Sequence, residues 1–510
     1  MKKLYITTAI DYANGKPHIG HAYEKILTDT LVRMWRLQGR DVQFMTGLDE
    51  HGLKVSQSAE KAGVPPQIHC DRIAQDFKNL CKDLSVDYDR YIRTTEPEHG
   101  LVVRDCLRKL HDSGEIYRAE YTGLYSKTAE RFVLEKDKIN GEWPADYGEV
   151  IEISETNYFF KLSKYQRWLI DYIESHPDFI FPVFRRKQVL EFLKDPINDL
   201  CISRPKNRLQ WGIELPFDSE YVTYVWFDAL VNYISGANYF GEDFTNYWPA
   251  DYHVIGKDIV VPAHAVYWPI MLHALGIALP KTLLSHGWWL ISGAKMSKSS
   301  GNIVDPLELA GKFGADAFRY YLMREMAIGQ DCDFSPDRFV TRYTCDLAND
   351  LGNLVSRLLN MGQRYCDGEI KLVRGAGQQE QNIRKLWEIA VPEIIDLYNE
   401  FSIHTALEKL FSCIGAVNVY IEGRSPWKLA KSDDDASKQL VDTTIATGAE
   451  CLRLAAVLIA PVMPTISRRI LAAIGHSGNI NWGNDAKFGE SLAGNKFGDN
   501  VILFPKIEEQ

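Results

Sequence analysis

Hydrophobic and polar positions near the start of the chain alternate between strand and helix patterns. Leu4–Thr8 has the composition of a short strand, and a turn-rich segment at 11–17 follows it. Apolar residues then recur at helical spacing over 26–34, and residues 42–47 form a second predicted strand that ends in the polar positions 49–52. This order predicts an α/β domain with a doubly wound parallel sheet, whose ligands bind beyond the carboxyl ends of its strands.

The pattern changes twice further along the chain. Short, turn-punctuated pieces over 115–215 suggest an insertion, after which 221–227 is predicted as an almost continuous strand and 253–258 as a strand-to-loop junction. Strand patterns end near Thr344 and amphipathic helices follow. We therefore expect a first half of the sheet domain at 1–114, the insertion at 115–215, a second half at 216–290, a loop-containing region at 291–345, and an all-α helical domain with its tail at 346–510.

Composition restricts the class of protein. With 510 residues, 25% charged and 12% aromatic, the chain is too rich in core-forming side chains to be disordered throughout. A net charge of −10 argues against binding nucleic acid by charge alone. Nine scattered cysteines without a Cys-x-x-Cys pair favour reduced thiols in the cytoplasm. Residues 259–280 carry no Asp, Glu, Lys or Arg, but Pro262, Pro269 and two histidines there favour a buried strand-to-helix segment over a membrane span.

Two motifs suggest phosphate binding. His18, Gly20 and His21 lie where the first predicted loop becomes a helix, and the amides of a helix N-terminus attract anions. Residues 293–301 hold Lys295 and Lys298 among small hydroxyl residues and glycines, a pattern typical of a mobile cationic clamp. Taken singly, each motif would be interpreted as an ordinary surface turn or loop in preference to a phosphate site.

Together the two motifs resemble the paired signatures of the class I aminoacyl-tRNA synthetases. The chain from Leu4 to about Pro464 is similar to the methionyl-tRNA synthetases in particular, through the segments 46–52, 224–229, 255–258 and 295–299. The resemblance implies a Rossmann-like catalytic domain and an ATP-dependent ligase. Such a ligase converts methionine and ATP to methionyl-adenylate and pyrophosphate, and then transfers methionine to the terminal adenosine of tRNA(Met), including the initiator.

The resemblance also implies roles for individual residues. The catalytic residues are His18, His21, Lys295 and Lys298, on either side of the ATP phosphates. ATP, carrying Mg²⁺, is further bound by Gly20, Gly256, Asp258, Met296, Ser297 and Ser299.

Methionine recognition must depend on shape, because a thioether is a weak hydrogen-bond acceptor. The residues that match the family's pocket are Ile10, Tyr12, Asp49, Trp226, Leu230, Tyr233, His264 and Trp268, with Asp49 on the α-ammonium. The alternative for the aromatic members is ordinary core packing. The spacing before His264 is one residue longer than in the family, so its placement depends on Trp268.

The insertion departs from the family pattern. Many members hold zinc there with four Cys or His ligands, whereas the matching positions here are Ser126, Ala129, Trp143 and Asp146. We therefore predict no structural zinc, and hydrophobic packing around Phe132, Trp143 and Tyr147 in its place.

The helical domain is expected to bind the anticodon through Asn353, Arg357 and Trp427. Asn353 and Arg357 share a helix face, and an indole can stack on an unpaired base. Without the family, a polar surface pair and a capping tryptophan would be preferred. We expect a monomer with no membrane association. Activation of cysteine or leucine, and a non-catalytic tRNA- or nucleotide-binding paralogue, stay open as alternatives.

Overall fold

The computed structural model describes residues 3–126, 131–133, 135, 138, 141–144, 147–291, 293–295, 304–373, 376–489 and 492–505. The chain divides into two compact units. Unit 1 comprises Met1–Lys16, Gln43–Lys78 and Tyr88–Ser285, and unit 2 comprises Pro17–Val42, Asn79–Asp87 and His286–Gln510. These units are defined by contacts, so the five sequence segments stay predictions.

The strands, in chain order, are β1 (Leu4–Thr8), β2 (Asp11–Tyr12), β3 (Val42–Asp49), β4 (Arg90–Arg93), β5 (Ile116–Ser126), β6 (Arg131–Val133), β7 (Val150–Phe160), β8 (Ile180–Phe181), β9 (Leu200–Cys201), β10 (Ser203–Pro205), β11 (Glu214–Leu215), β12 (Asp218–Thr223), β13 (Tyr252–Gly256), β14 (Thr282–His286), β15 (Trp289–Ile291), β16 (Ala294–Lys295) and β17 (Cys332–Asp333).

The α-helices are α1 (Ile19–Leu37), α2 (Leu53–Lys61), α3 (Pro66–Asp83), α4 (Pro97–Asp112), α5 (Gln166–Ser175), α6 (Val183–Phe192), α7 (Val225–Ser235), α8 (Phe244–Tyr247), α9 (Trp268–Ala274), α10 (Pro306–Phe313), α11 (Ala315–Glu325), α12 (Pro336–Arg342), α13 (Asn353–Tyr365), α14 (Gln378–Asn399), α15 (Ile403–Arg424), α16 (Pro426–Leu429), α17 (Asp435–Ile459), α18 (Pro464–Ala473) and α19 (Trp482–Asp485). Wider helical turns span Val260–Tyr267 and Tyr343–Gly352, and a 3₁₀ turn spans Leu162–Tyr165.

Unit 1 is built on a parallel sheet. Among the described residues the sheet has seven strands in the order β2-β3-β1-β13-β14-β8, with β4 also paired to β3. β1 runs parallel to β13, and β3 runs parallel to β2 and β4. The predicted doubly wound α/β fold is confirmed. The carboxyl ends of the adjacent strands β1 and β13 meet at one edge, which is where such sheets bind ligands.

The insertion is more regular than its sequence suggests. β5 and β7 pair antiparallel along their full length, from Ile116 opposite Phe160 to Ser126 opposite Val150. The described side chains over 117–122 of β5 are exposed or half-buried, so the sequence there lacks the apolar–polar alternation that marks a half-buried strand.

Two predicted strand segments are helical. The predicted strand over 221–227 ends at Thr223, and α7 begins at Val225, because a short apolar run is compatible with either a buried strand or a buried helix. The expected strand-to-helix segment at 259–280 is helical from Val260 to Ala274. In the described part of the chain, no helix is both long and apolar enough to cross a bilayer.

Unit 2 contains α1 and the helical bundle, and a buried arginine holds several of its elements together. Arg319 on α11 is fully buried, and its Nη2 lies 2.6 Å from Asp29 Oδ2 on α1. The other N–H groups donate to main-chain carbonyls of the 84–85 turn and of residues 461–462 between α17 and α18. The amphipathic helices predicted after Thr344 include α15 and α17, which bury their apolar residues.

We expect Arg319→Leu to destabilise the protein strongly, because it removes the fully buried counter-charge of the Asp29 carboxylate and leaves that carboxylate paired with the partly exposed Arg33. Removing one partner of a buried ion pair costs about 3–5 kcal/mol. Thermal melting measures the effect, with Arg167→Leu as the control, since Arg167 is 80% exposed and paired only with Asp171 one helical turn away. Equal melting temperatures for the two variants would contradict the assignment.

Candidate functional site

Tyr12 and Asp49 are brought side by side at the edge of the parallel sheet. They are register partners on β2 and β3, so their side chains project to the same face. Gly52, three residues after Asp49, has φ +106, and a Cβ there would lie 2.5 Å from Tyr12 Oη. Glycine at this position therefore lets the loop that follows β3 pass against the Tyr12 ring.

Helix α7 supplies three more of the predicted methionine residues. Leu230 and Tyr233 are buried in the core cluster of unit 1, and Trp226 is partly buried against it, as are Ile10 and Tyr12. Trp268, on α9, is fully buried in the same cluster. These residues thus belong to, or pack against, one core cluster, and their role in binding methionine stays a prediction.

A wide helical turn explains the extra residue before His264. The His264 amide donates to Ile259 O, five residues back, instead of four (3.2 Å). Val261 within this turn has strand-like dihedrals, φ −114 and ψ 129. Insertions of one residue are commonly absorbed by such turns. The structure therefore places His264 beside Tyr233 despite the altered spacing.

The hydrogen bonds of His264 have a defined direction. His264 Nδ1 lies 2.9 Å from Ile259 O, which can only accept, so Nδ1 carries the proton. Nε2 of the neutral ring then accepts from the Tyr233 hydroxyl at 2.7 Å. The hydroxyl of the buried Tyr233 is therefore oriented by His264.

His253, on β13, contacts two of the predicted methionine residues but was not itself predicted. Its ring stacks on Tyr233 with centroids 4.1 Å apart, its Nε2 accepts from Trp268 Nε1–H at 3.3 Å, and its Nδ1 lies 2.7 Å from Thr7 Oγ1. Burial, reinforced by the repulsion that two protonated imidazoles at His253 and His264 would exert on each other, lowers the pKa of His253 well below its usual range. A neutral imidazole thus packs against the rings of Tyr233 and Trp268. The only signal in the sequence was a histidine inside an apolar strand.

Gly256 and Asp258, which are predicted to bind ATP, lie at the end of β13. Gly256 is the last residue of that strand, and Asp258 follows two positions later. They lie at the strand end that an α/β sheet uses for ligands.

In unit 2, His18 and His21 form a reciprocal cap on α1. His18 Nδ1 accepts from the Gly20 amide, and His21 Nδ1 accepts from the His18 amide, each at 3.1 Å, while the rings stack 3.8 Å apart. A nitrogen that accepts cannot carry a proton, so both rings are neutral with the proton on Nε2. They can serve as N–H donors to an anion.

Gly20 is required by this cap, because a Cβ there would lie 2.9 Å from His18 Cε1. Its predicted contact with ATP is a separate matter and stays a prediction.

Lys295 ends a short hairpin in the same unit. β15 and β16 pair antiparallel with Leu290 opposite Lys295, and the Gly293 amide donates to Asp333 Oδ1 at 2.7 Å. Met296, Ser297, Lys298 and Ser299 lie outside the described residues, as does the side chain of Lys295. The hairpin base packs on α1, where Tyr23 meets Trp289 edge-on with centroids 6.2 Å apart and Glu24 Oε2 lies 3.1 Å from His286 Nε2. The two predicted phosphate motifs therefore belong to contacting elements.

The predicted anticodon residues also converge. Asn353 begins α13 and is exposed, and Arg357 lies one turn later. The Arg357 guanidinium lies 5.3 Å from the Trp427 ring centroid, and its Nη2 lies 2.7 Å from Glu422 Oε2. Trp427 is in the first turn of α16, directly after the break that ends α15. A half-buried indole beside a guanidinium suits stacking on a base.

The zinc-region positions are only partly visible. Ser126 Oγ donates to Tyr147 O at 2.5 Å, and the rings of Trp143 and Tyr147 stack 6.1 Å apart. Ala129, Asp146 and the side chain of Phe132 lie outside the described residues. Among the described residues there is no group of three or more His, Cys, Asp or Glu side chains that could hold a metal ion. The absence of zinc stays a prediction.

Comparison with known families identifies the class of protein. The family described as tRNA synthetases class I (M) matches residues 4–150 and 147–359. The anticodon binding domain of methionyl tRNA ligase matches residues 373–510. The fold and both matches define a class I tRNA synthetase.

Individual relatives narrow this to one family. The methionine–tRNA ligase of Deinococcus radiodurans is 44% identical over 99% of this chain and 75% of its own length. That of Mycobacterium tuberculosis is 40% identical over 94% of this chain and 93% of its own. A solved structure of the Mycobacterium tuberculosis methionyl-tRNA synthetase with methionyl-adenylate has a TM-score of 0.94 at 39% identity, covering 99% of this chain and 100% of that one. The chain therefore belongs to the methionyl-tRNA synthetase family.

We expect the stability of the protein to depend on pH through His253. Its lowered pKa means that the unfolded chain binds a proton that the folded protein excludes, so the free energy of unfolding decreases below about pH 6.5, by at most about 1.4 kcal/mol per pH unit. His253→Asn removes this dependence. Its melting-temperature deficit relative to the parent protein should therefore narrow between about pH 7.5 and about pH 5.5. The exposed His176→Asn is the control, and parallel curves for His253→Asn and the parent would contradict the interpretation.

Proposed function

We propose that this protein activates methionine with ATP and transfers it to tRNA. In the first step a methionine carboxylate oxygen forms a bond to the α-phosphorus of ATP, the bond from that phosphorus to the bridging oxygen breaks, and pyrophosphate leaves. In the second step the terminal adenosine of tRNA displaces AMP. Both steps need positioning and stabilisation of charge, and neither needs a protein nucleophile.

The observation that carries the proposal is the aromatic wall of unit 1. Trp226, Tyr233 and Trp268 provide apolar surface, and the Tyr233–His264 hydrogen bond places one hydroxyl among them. Such a wall recognises a flexible, apolar chain by its shape. Asp49, at the sheet edge beside Tyr12, supplies a carboxylate for the α-ammonium.

The ATP phosphates are assigned to unit 2. The Nε2–H groups of His18 and His21 donate to phosphate oxygens at the N-terminus of α1, where the helix dipole also favours negative charge. Lys295 and Lys298 contribute the positive charge that these neutral imidazoles lack. Gly256 and Asp258 are assigned to the ribose and adenine. Mg²⁺ enters with ATP and neutralises its phosphates, coordinated mainly by phosphate and water oxygens.

The anticodon is assigned to Asn353, Arg357 and Trp427. Glu422 holds the Arg357 guanidinium near the Trp427 ring, so a base that stacks there meets both an aromatic face and hydrogen-bond donors.

Pyrophosphate exchange with each of the twenty amino acids tests the activation step. We expect exchange driven by methionine, and a large loss of the rate in His21→Ala because one phosphate donor is removed. Exchange driven by cysteine or leucine instead would replace the assigned substrate. Exchange with none of the twenty would favour a binding paralogue.

Trp427→Ala tests the anticodon assignment. Loss of one stacked base costs about 1–3 kcal/mol, so we expect the KM for tRNA to rise roughly tenfold or more while methionine-driven pyrophosphate exchange is unchanged. Leu386→Ala, at a 36%-exposed apolar position on α14, is the control. Unchanged tRNA charging and anticodon preference in Trp427→Ala would refute the assignment.

A further inference from the structure

A carboxylate that no predicted role uses is buried in unit 1 between two histidines. Asp228 is fully buried, its Oδ2 accepts from His51 Nδ1–H at 2.6 Å, and its Oδ1 accepts from His99 Nε2–H at 2.7 Å. A further hydrogen bond of 2.7 Å joins His99 Nδ1 to Ser235 Oγ at the end of α7. We call Asp228, His51 and His99 the buried triad.

The charge of Asp228 is stabilised by its neighbours. Burial opposes ionisation and is the largest single influence, but the charges and hydrogen bonds of His51 and His99 together outweigh it and lower the pKa of Asp228 to about 2. Asp228 also lies in the first turn of α7, where the helix dipole favours a negative charge. Asp228 is therefore ionised at neutral pH.

The triad joins the two parts of the methionine pocket. Asp228 lies on α7 between Trp226 and Leu230, with Tyr233 one further turn along the same helix. His51 follows Asp49 by two residues, in the loop after β3. The hydrogen bond between His51 and Asp228 thus connects the loop that carries the ammonium-binding carboxylate to the helix that carries the aromatic wall.

The opposite side of the same loop is held independently. Glu50 Oε1 lies 2.5 Å from Arg93 Nε, and the Glu50 amide donates to Thr94 Oγ1 at 2.9 Å. The Glu50 carbonyl accepts from Trp211 Nε1–H at 2.5 Å. Glu50 fixes the loop to β4, and the His51–Asp228 hydrogen bond fixes it to α7.

We propose that Asp228 is a positioning residue for methionine, acting through His51 to set the place of Asp49 relative to the aromatic wall. This inference rests on the proposed function. The attraction between a carboxylate and an ammonium varies with their separation, and a binding group displaced by about 1 Å loses much of its effect. The amino group of the ligand should therefore depend on Asp228, while the thioether chain should depend on it much less.

Asp228→Asn tests this with little change in shape. An amide cannot accept from both histidines as a carboxylate does, and it carries no charge. Two competitive inhibitors of methionine-driven pyrophosphate exchange provide the readout: L-methioninol, which keeps the amine and lacks the carboxylate, and 4-(methylthio)butanoate, which lacks the amine. We expect the inhibition constant of L-methioninol to rise about tenfold and that of 4-(methylthio)butanoate to change less than about twofold.

Asp316→Asn is the matched control. Asp316 is also a buried aspartate in the first turn of a helix, but it lies on α11 in unit 2 and accepts from the Ile466 amide at 2.6 Å. This variant measures the general cost of a buried Asp-to-Asn change and should leave the ratio of the two inhibition constants unaltered. Equal weakening of both inhibitors in Asp228→Asn, or weakening of neither, would overturn the inference.

His51→Gln and His51→Leu keep the test decisive if Asp228→Asn does not fold. Gln retains a donor for Asp228 and Leu does not, so Leu should weaken L-methioninol selectively and Gln less so. Identical ratios for the two variants would count against the inference. If the parent protein shows no methionine-driven exchange, the proposed function fails instead, which the parent measurement alone reveals.

Discussion

The ion pair between Arg319 and Asp29 places a permanent positive charge inside unit 2, and the surrounding structure is arranged to satisfy it. Five N–H donors find one carboxylate and four main-chain carbonyls, which leaves no donor of the buried guanidinium unsatisfied. Asp29 lies on α1, the helix whose first turn carries the stacked His18 and His21. The interaction therefore fixes the middle of that helix against the bundle, and with it the position of the imidazoles at its N-terminus.

The order of elements in unit 1 could be predicted from the sequence because it depends on local patterns. β1 has the predicted bounds, and β3 extends the predicted strand by only two residues. The segment after Thr223 could not be assigned, since α7 is buried on nearly every face and so has no polar side to reveal its helical period. The same limit applies to Val260–Tyr267, where a five-residue hydrogen-bond step depends on tertiary packing.

The candidate sites divide along similar lines. Residues that occur in short contiguous motifs, such as His18 with His21, were found because their spacing itself suggests a chemistry. The buried triad was not found, because His51 and Asp228 are 177 positions apart and His99 and Asp228 are 129 apart. His253 was missed for a related reason, since its contacts are with Tyr233 and Trp268, which lie on other elements. Sequence spacing reveals local capping and leaves contacts across the sheet hidden.

The histidines illustrate why residue identity alone is insufficient for the chemistry. Where the partner of one ring nitrogen is a main-chain amide, that nitrogen must accept, and the other becomes the donor; where the partner is a carbonyl or a carboxylate, the nitrogen must donate. These rules give His18 and His21 protons on Nε2, but His51 and His264 protons on Nδ1. The first pair therefore presents donors suited to phosphate oxygens, whereas His264 presents an acceptor that orients a tyrosine hydroxyl. One residue type thus presents a donor in one place and an acceptor in another, and the folded backbone decides which.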